Sequence, residues 1–213
     1  MAEVIASKPY THRYSAEVRR QQIVTVAADL FSKRGFSGTT TKEIAEHAGV
    51  SEAIIFRHFA TKRELYSAII DSKTRPSSES TQARLEEAAA VKDDRAFFHI
   101  LALEKLEMYS ADPALIRLLL YSALEGHELT DIFFESTALD LRNFVRTYIS
   151  QRIADGAFRG VDPAVCTRAF MGMVWNQAQV RILFDSCDDL EMSGSQIADA
   201  FVDMFLNGVV RGR

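Results

Sequence analysis

The sequence predicts an all-α fold, with an N-terminal three-helix helix-turn-helix domain, a C-terminal helical bundle, and about nine to ten helices in total. Three observations predict it. Glycine and proline number only 10 and 4 in 213 residues, too few breakers for many short strands. Apolar residues recur at three- and four-residue steps, and strand alternation is confined to short ambiguous runs. Helix-start chemistry also repeats along the chain. Thr40 with Glu43, Thr61 with Glu64 and Ser193 with Gln196 stand at capping-box spacing, while Asp112-Pro113 and Asp162-Pro163 each place proline just after an N-cap.

The elements follow in order. Residues 1–14 are polar and turn-prone, a loose arm. A first helix from Ser15 carries Ile23, Val26, Ala27, Leu30 and Phe31 on one stripe and ends at Gly35. Thr40 caps a second, with Ile44, Ala45 and Ala48 inward. Gly49-Val50-Ser51 breaks the chain, and Ser51 caps a short helix over 52–59 with Ile55, Phe56 and Phe59. A fourth helix begins at Lys62, turns Leu65, Ala68 and Ile69 inward, and ends before Pro76. Pro76-Ser77-Ser78-Glu79-Ser80 has linker composition and places a domain boundary there, dividing 1–75 from 76–213. In the second part the pattern predicts a short helix over 82–91, then helices over 93–110, 112–124, 128–155, 162–184 and 193–209.

Composition narrows the class. Hydrophobic residues make up 47% and charged residues 25%, the balance of a folded globular chain. No apolar run approaches the roughly 18–20 residues of a membrane span, and the start has no apolar secretory core. A cytoplasmic protein that avoids membranes is expected. Residues 1–75 hold 12 Lys and Arg against 8 Asp and Glu, and the remainder 13 against 21. A basic head on an acidic body directs a polyanion to the head alone. Cys166 and Cys187 lack metal-ligand spacing and are expected as buried thiols. His127 with Glu125 and Glu128 is too clustered for a metal site. No nucleophile–base motif or phosphate loop appears, so no catalytic residue, cofactor or metal is expected.

Residues 41–59 are a helix, a three-residue turn opening on glycine, and a second short helix, the layout that lays a helix in the major groove. Gly35-Phe36, Thr39-Thr40, Ile44-Ala45, Ala48-Gly49-Val50-Ser51, Phe56, Phe59, Lys62 and Glu64-Leu65 together resemble the TetR family, without a gap from about Arg19 to Ile70. The resemblance implies a DNA-binding transcriptional regulator, a repressor released from a pseudo-palindromic operator by a small-molecule effector; the alternative is a DNA-binding regulator with no such effector, or a helical partner-binding module. It implies that Thr40, Lys42 and Ser51 meet the DNA backbone or nearby groove. It places Glu52, Ala53, Ile54, Phe56 and Arg57 on the recognition helix, and it makes Lys62 a phosphate contact. Two positions depart from the family pattern. Phe56 stands where tyrosine is common and lacks a hydroxyl for phosphate. Glu52 stands where a basic or small residue is common, and can accept from cytosine N4.

The resemblance also implies a homodimer through the last two helices and an apolar effector pocket in the body. The last helix fits the first expectation, since Ile197, Phe201, Val202, Phe205 and Val209 cover more than one narrow face. For the pocket, Phe97, Tyr121, Phe133 and Trp175 are candidate walls, and His99, Glu125, Asn176 and Gln179 candidate polar anchors to a hydrophobic effector.

Overall fold

The computed structural model describes residues 15–125, 132, 139–184 and 190–210, with backbone alone over 75–80. Among them it forms nine helices: α1 Ala16–Arg34, α2 Thr41–Ala48, α3 Glu52–His58, α4 Lys62–Ala90, α5 Asp94–Ala111, α6 Pro113–Leu124, α7 Leu139–Ala154, α8 Pro163–Leu183 and α9 Gly194–Val209. The only β pairing among the described residues is a single bridge between Phe158 and Val210. The all-α expectation holds.

The caps explain where most helices begin. Thr40 and Glu43 form a complete capping box, as do Ser193 and Gln196. Asp162 accepts from the N–H groups of Ala164 and Val165. Three expected caps differ. Ser51 sits at its N-cap without a side-chain bond. Asp112 accepts from the Lys73 ammonium instead of capping α6, so its charge ties α6 to α4. At α4, Thr61 caps Glu64 N–H, but the Glu64 carboxylate reaches back to Ala60 N–H at 2.8 Å, one residue beyond the box.

The expected helix end before Pro76 is corrected. α4 runs on through the proline and the serine-rich stretch as one 29-residue helix. An interior proline costs about 3 kcal/mol. Here both flanking segments bury apolar faces, Leu65, Ile69 and Ile70 on one side and Leu85 and Ala88 on the other. Helices in proteins owe most of their stability to such packing rather than to local preference. The separate short helix over 82–91 is therefore the end of α4.

Two apolar cores result. One joins α1–α4 to α6 through Ile23, Phe31, Ile44, Ile55, Leu65 and Ile116, and reaches Tyr109 of α5 and Ala178 of α8. The other joins the end of α4 with α5, α7, α8 and α9 around Phe98, whose ring meets those of Phe97, Tyr148, Phe158, Phe170 and Phe205. Although it follows the linker-like stretch in sequence, α6 packs against the head. Cys166 is buried with a free thiol, which burial pushes up in pKa; Cys187 lies outside the described residues.

Candidate nucleic-acid interface and ligand cavity

The head is built to hold α3 outward. Gly49 ends α2 in the left-handed conformation, φ 63° and ψ 37°, which costs glycine nothing. The chain then folds back, and Val50 N–H bonds Ala45 O at 3.0 Å. Gln22 of α1 donates to Ala48 O at 3.0 Å, fixing the end of α2. Ile55 and Phe59 are buried, and the Arg20 guanidinium lies 4.8 Å from the Phe59 ring centroid.

This packing sorts the expected DNA contacts. Ser51, Ala53, Phe56 and Arg57 are exposed on α3, as are Thr40 and Lys42 at the start of α2. Phe56 is 49% exposed, an apolar ring facing solvent with no place in the core. Lys42 and Arg57 make no hydrogen bond or ion pair among the described residues, so both cations are free for a polyanion. The Thr40 hydroxyl is already engaged in its capping box with Glu43. Three residues make contacts within the head. The Glu52 carboxylate accepts from the Thr41 hydroxyl and bridges α2 to α3. Ile54 is half-buried against the head core. The Lys62 ammonium donates to the Phe36 carbonyl and lies 4.0 Å from the Phe36 ring centroid. Burial lowers the Lys62 pKa, against the opposing charges of Glu125 and Glu43.

Glu125 has a role that spacing alone did not suggest. At the end of α6 its carboxylate accepts from Ser37 N–H at 3.1 Å and from the Ser37 hydroxyl at 3.2 Å. Tyr121 donates to Lys33 O at 3.3 Å, and Tyr66 to Leu118 O at 3.1 Å. Gly35, at φ 74° and ψ 174°, leaves room for this contact, since a Cβ there would stand 2.2 Å from Glu125 Oε1. Tyr121 and Glu125, expected as pocket residues, thus fasten α6 to the end of α1 and to the α1–α2 loop.

The body holds a cavity of about 490 Å³ between α5, α6, the start of α7, and α8, within the usual ~300–1,000 Å³ of small-molecule sites. Met108, Tyr109, Leu119, Leu120 and Trp175 supply much of its apolar wall. Tyr109 packs edge-on to Trp175 at 5.4 Å between centroids, and burial pushes its phenol up to about 12. Of the expected ligand residues that are described, only Trp175 lines this cavity. Phe97 is fully buried and stacks on Tyr148 at 4.0 Å. His99 lies 3.8 Å from Asp199 on the α5–α9 face. Asn176 is exposed and Gln179 half-buried, both outside the lining. Phe133 lies outside the described residues. The aromatic residues were visible in the sequence, but which of them share one wall depends on how α5, α6 and α8 cross.

The model for bacterial regulatory proteins of the tetR family matches residues 23–69, and that for the AefR-like transcriptional repressor C-terminal domain matches 102–208, half of the chain. The HTH-type transcriptional activator FasR of Mycolicibacterium smegmatis (strain ATCC 700084 / mc(2)155) is 37% identical over 59 residues, 28% of this chain and 27% of that protein. The match thus spans about a quarter of that relative's length. AibR, solved in complex with isovaleryl coenzyme A and operator DNA, is 26% identical with a TM-score of 0.66, covering 87% of this chain and 97% of that one. FadR from Bacillus subtilis, solved with stearoyl-CoA, shares the fold at 16% identity, with a TM-score of 0.69 over 88% of this chain and 98% of that one. Among the described residues no helix is long and apolar enough to cross a membrane. With a matched reading head and a matched body, the chain belongs to the TetR family of bacterial transcriptional regulators.

Proposed function

We propose that this regulator is a homodimeric repressor that leaves its operator when a hydrophobic small molecule fills the body cavity. The observation that carries the reading is the double duty of α6. One side of α6 packs Leu115, Ile116 and Leu118 into the head core, and its Leu119, Leu120, Ser122 and Ala123 border the cavity. A ligand between α5, α6 and α8 therefore presses on the helix that ends in the Glu125–Ser37 contact. Ligand releases DNA only through differential affinity for two shapes, and α6 is where the shapes can differ at both sites.

Repression is favoured over activation because the matched description of the body is that of a repressor, while FasR matches only over a short segment. DNA contact is assigned to Lys42 and Arg57 for charge, and to Ser51, Ala53 and Phe56 for surface. Thr40, Glu52, Ile54 and Lys62 hold that surface in place. The head is taken as 1–75 and the body as 76–213. Dimerisation is assigned to α8 and α9. They leave Val165 65%, Phe184 57% and Met204 59% exposed, apolar surface that a partner copy would cover. AibR with isovaleryl coenzyme A and FadR with stearoyl-CoA support a ligand with an apolar acyl part.

Duplex binding measured by fluorescence anisotropy over a salt series tests the reading. Affinity should fall steeply with salt, as counterion release requires, and Lys42→Ala should reduce the slope by about one. A flat response to salt would count against it.

A further inference from the structure

The body is acidic overall, with 13 Lys and Arg against 21 Asp and Glu over residues 76–213. Its cavity is the opposite. Lys105, Arg142 and Arg168 line it, and no Asp or Glu does among the described residues. Lys105 is the deepest of the three. It projects from the middle of α5 beside Met108 and Tyr109, and it makes no hydrogen bond or ion pair among the described residues. The Glu104 carboxylate acts on it by charge. That group is itself held by Arg84 at 2.5 Å.

An ammonium in such a place is expensive, because desolvation disfavours the charged form, and the Glu104 charge offsets that only in part. Its pKa is accordingly lowered, with burial as the leading cause. A cation kept in an apolar chamber without a hydrogen-bonding partner among the described residues can take one from a ligand.

From this we infer that the cavity selects an amphipathic anion, a medium-length apolar chain ending in a carboxylate that Lys105 receives while Met108, Leu119, Leu120 and Trp175 enclose the chain. The inference rests on the ligand-sensing reading of the body and adds the charge of the ligand to it. The carboxylate offers the strong, charge-assisted hydrogen bond that Lys105 lacks. A neutral alcohol of equal length fills the same walls and leaves the ammonium poorly paired. Arg142 and Arg168, at the cavity wall, add attraction for the same sign of charge.

The test uses the full chain and a neutral fluorescent probe, N-phenyl-1-naphthylamine, which reports occupancy of an apolar cavity without using charge. Decanoate should displace it at a concentration at least about tenfold lower than decanol does, the size of one charged hydrogen bond. Lys105→Met should keep probe binding, lose the preference for decanoate, and melt higher than wild type without ligand, because an unpaired charge has left an apolar site. Lys105→Arg should retain the preference. If decanol displaces the probe as well as decanoate does, or if Lys105→Met leaves decanoate unaffected, the cavity takes neutral ligands and the inference fails while the sensor reading stands. If the probe does not bind the wild-type chain at all, the sensor reading fails and the inference goes with it.

Discussion

The head and the body handle their exposed chemistry in opposite ways. In the head, α3 turns Phe56 and Arg57 toward solvent, and the buried residues Ile55 and Phe59 serve to hold it there. In the body, the rings and the Lys105 cation are gathered inward around a cavity. A surface meant for a duplex must be convex enough to enter a groove about 12 Å wide. A site meant for a small molecule must exclude water from most of its ligand. Between them stands α6, which packs into the head core and whose Leu119 and Leu120 belong to that core and line the cavity as well. The difference teaches that the two sites need a shared rigid element, and the following expectations test that element and the two surfaces it joins.

The largest effect should come from the cores. Phe31→Ala in the head and Phe98→Ala in the body should each cost about 3–5 kcal/mol. Because α6 belongs to one core and borders the other site, calorimetry should show a single transition that both substitutions lower. Two transitions, each answering to one substitution, would separate head from body and break the argument for α6 as a coupler.

Gly35→Ala comes next. It forces a side chain into a backbone region nearly reserved for glycine, at about 1–3 kcal/mol, and into the space of Glu125 Oε1. Urea unfolding should report the loss. It should also reset DNA affinity without ligand, whereas unchanged affinity would show that the Glu125 contact only braces the fold. Arg57→Ala should relax preference at one base position by about 1–3 kcal/mol, read by duplex selection, and leave stability almost unchanged. The smallest effect belongs to Thr40→Ala, about 1 kcal/mol of head stability from a lost cap, measured by the same urea titration.

The head was largely legible from the sequence because its signals are local. Thr40 with Glu43, Gly49 at the turn, and Ile44, Ala45, Ala48 and Ile55 at helical spacing each fix structure within a few residues. Its contacts between elements were not legible. Glu52 finds Thr41, and Lys62 finds Phe36, only once α1–α4 are packed. The α4 helix defeated local reading for the converse reason. Pro76 and the serines argue for a break, and burial at Ile70 and Leu85 on either side overrides them. The cavity was the least legible part. Trp175 was expected, but Lys105 was not. A lysine in a helical pattern reads as a solvated side chain until the crossing of α5 with its neighbours shows it lining the cavity.

Selection of bound duplexes from a random pool tests the central claim most directly. The account predicts enrichment of two inverted half-sites with centres about 10–10.5 base pairs, or a multiple, apart. Recovery of no enriched sequence, or of a single unrepeated half-site, would contradict a dimer that reads DNA through α3.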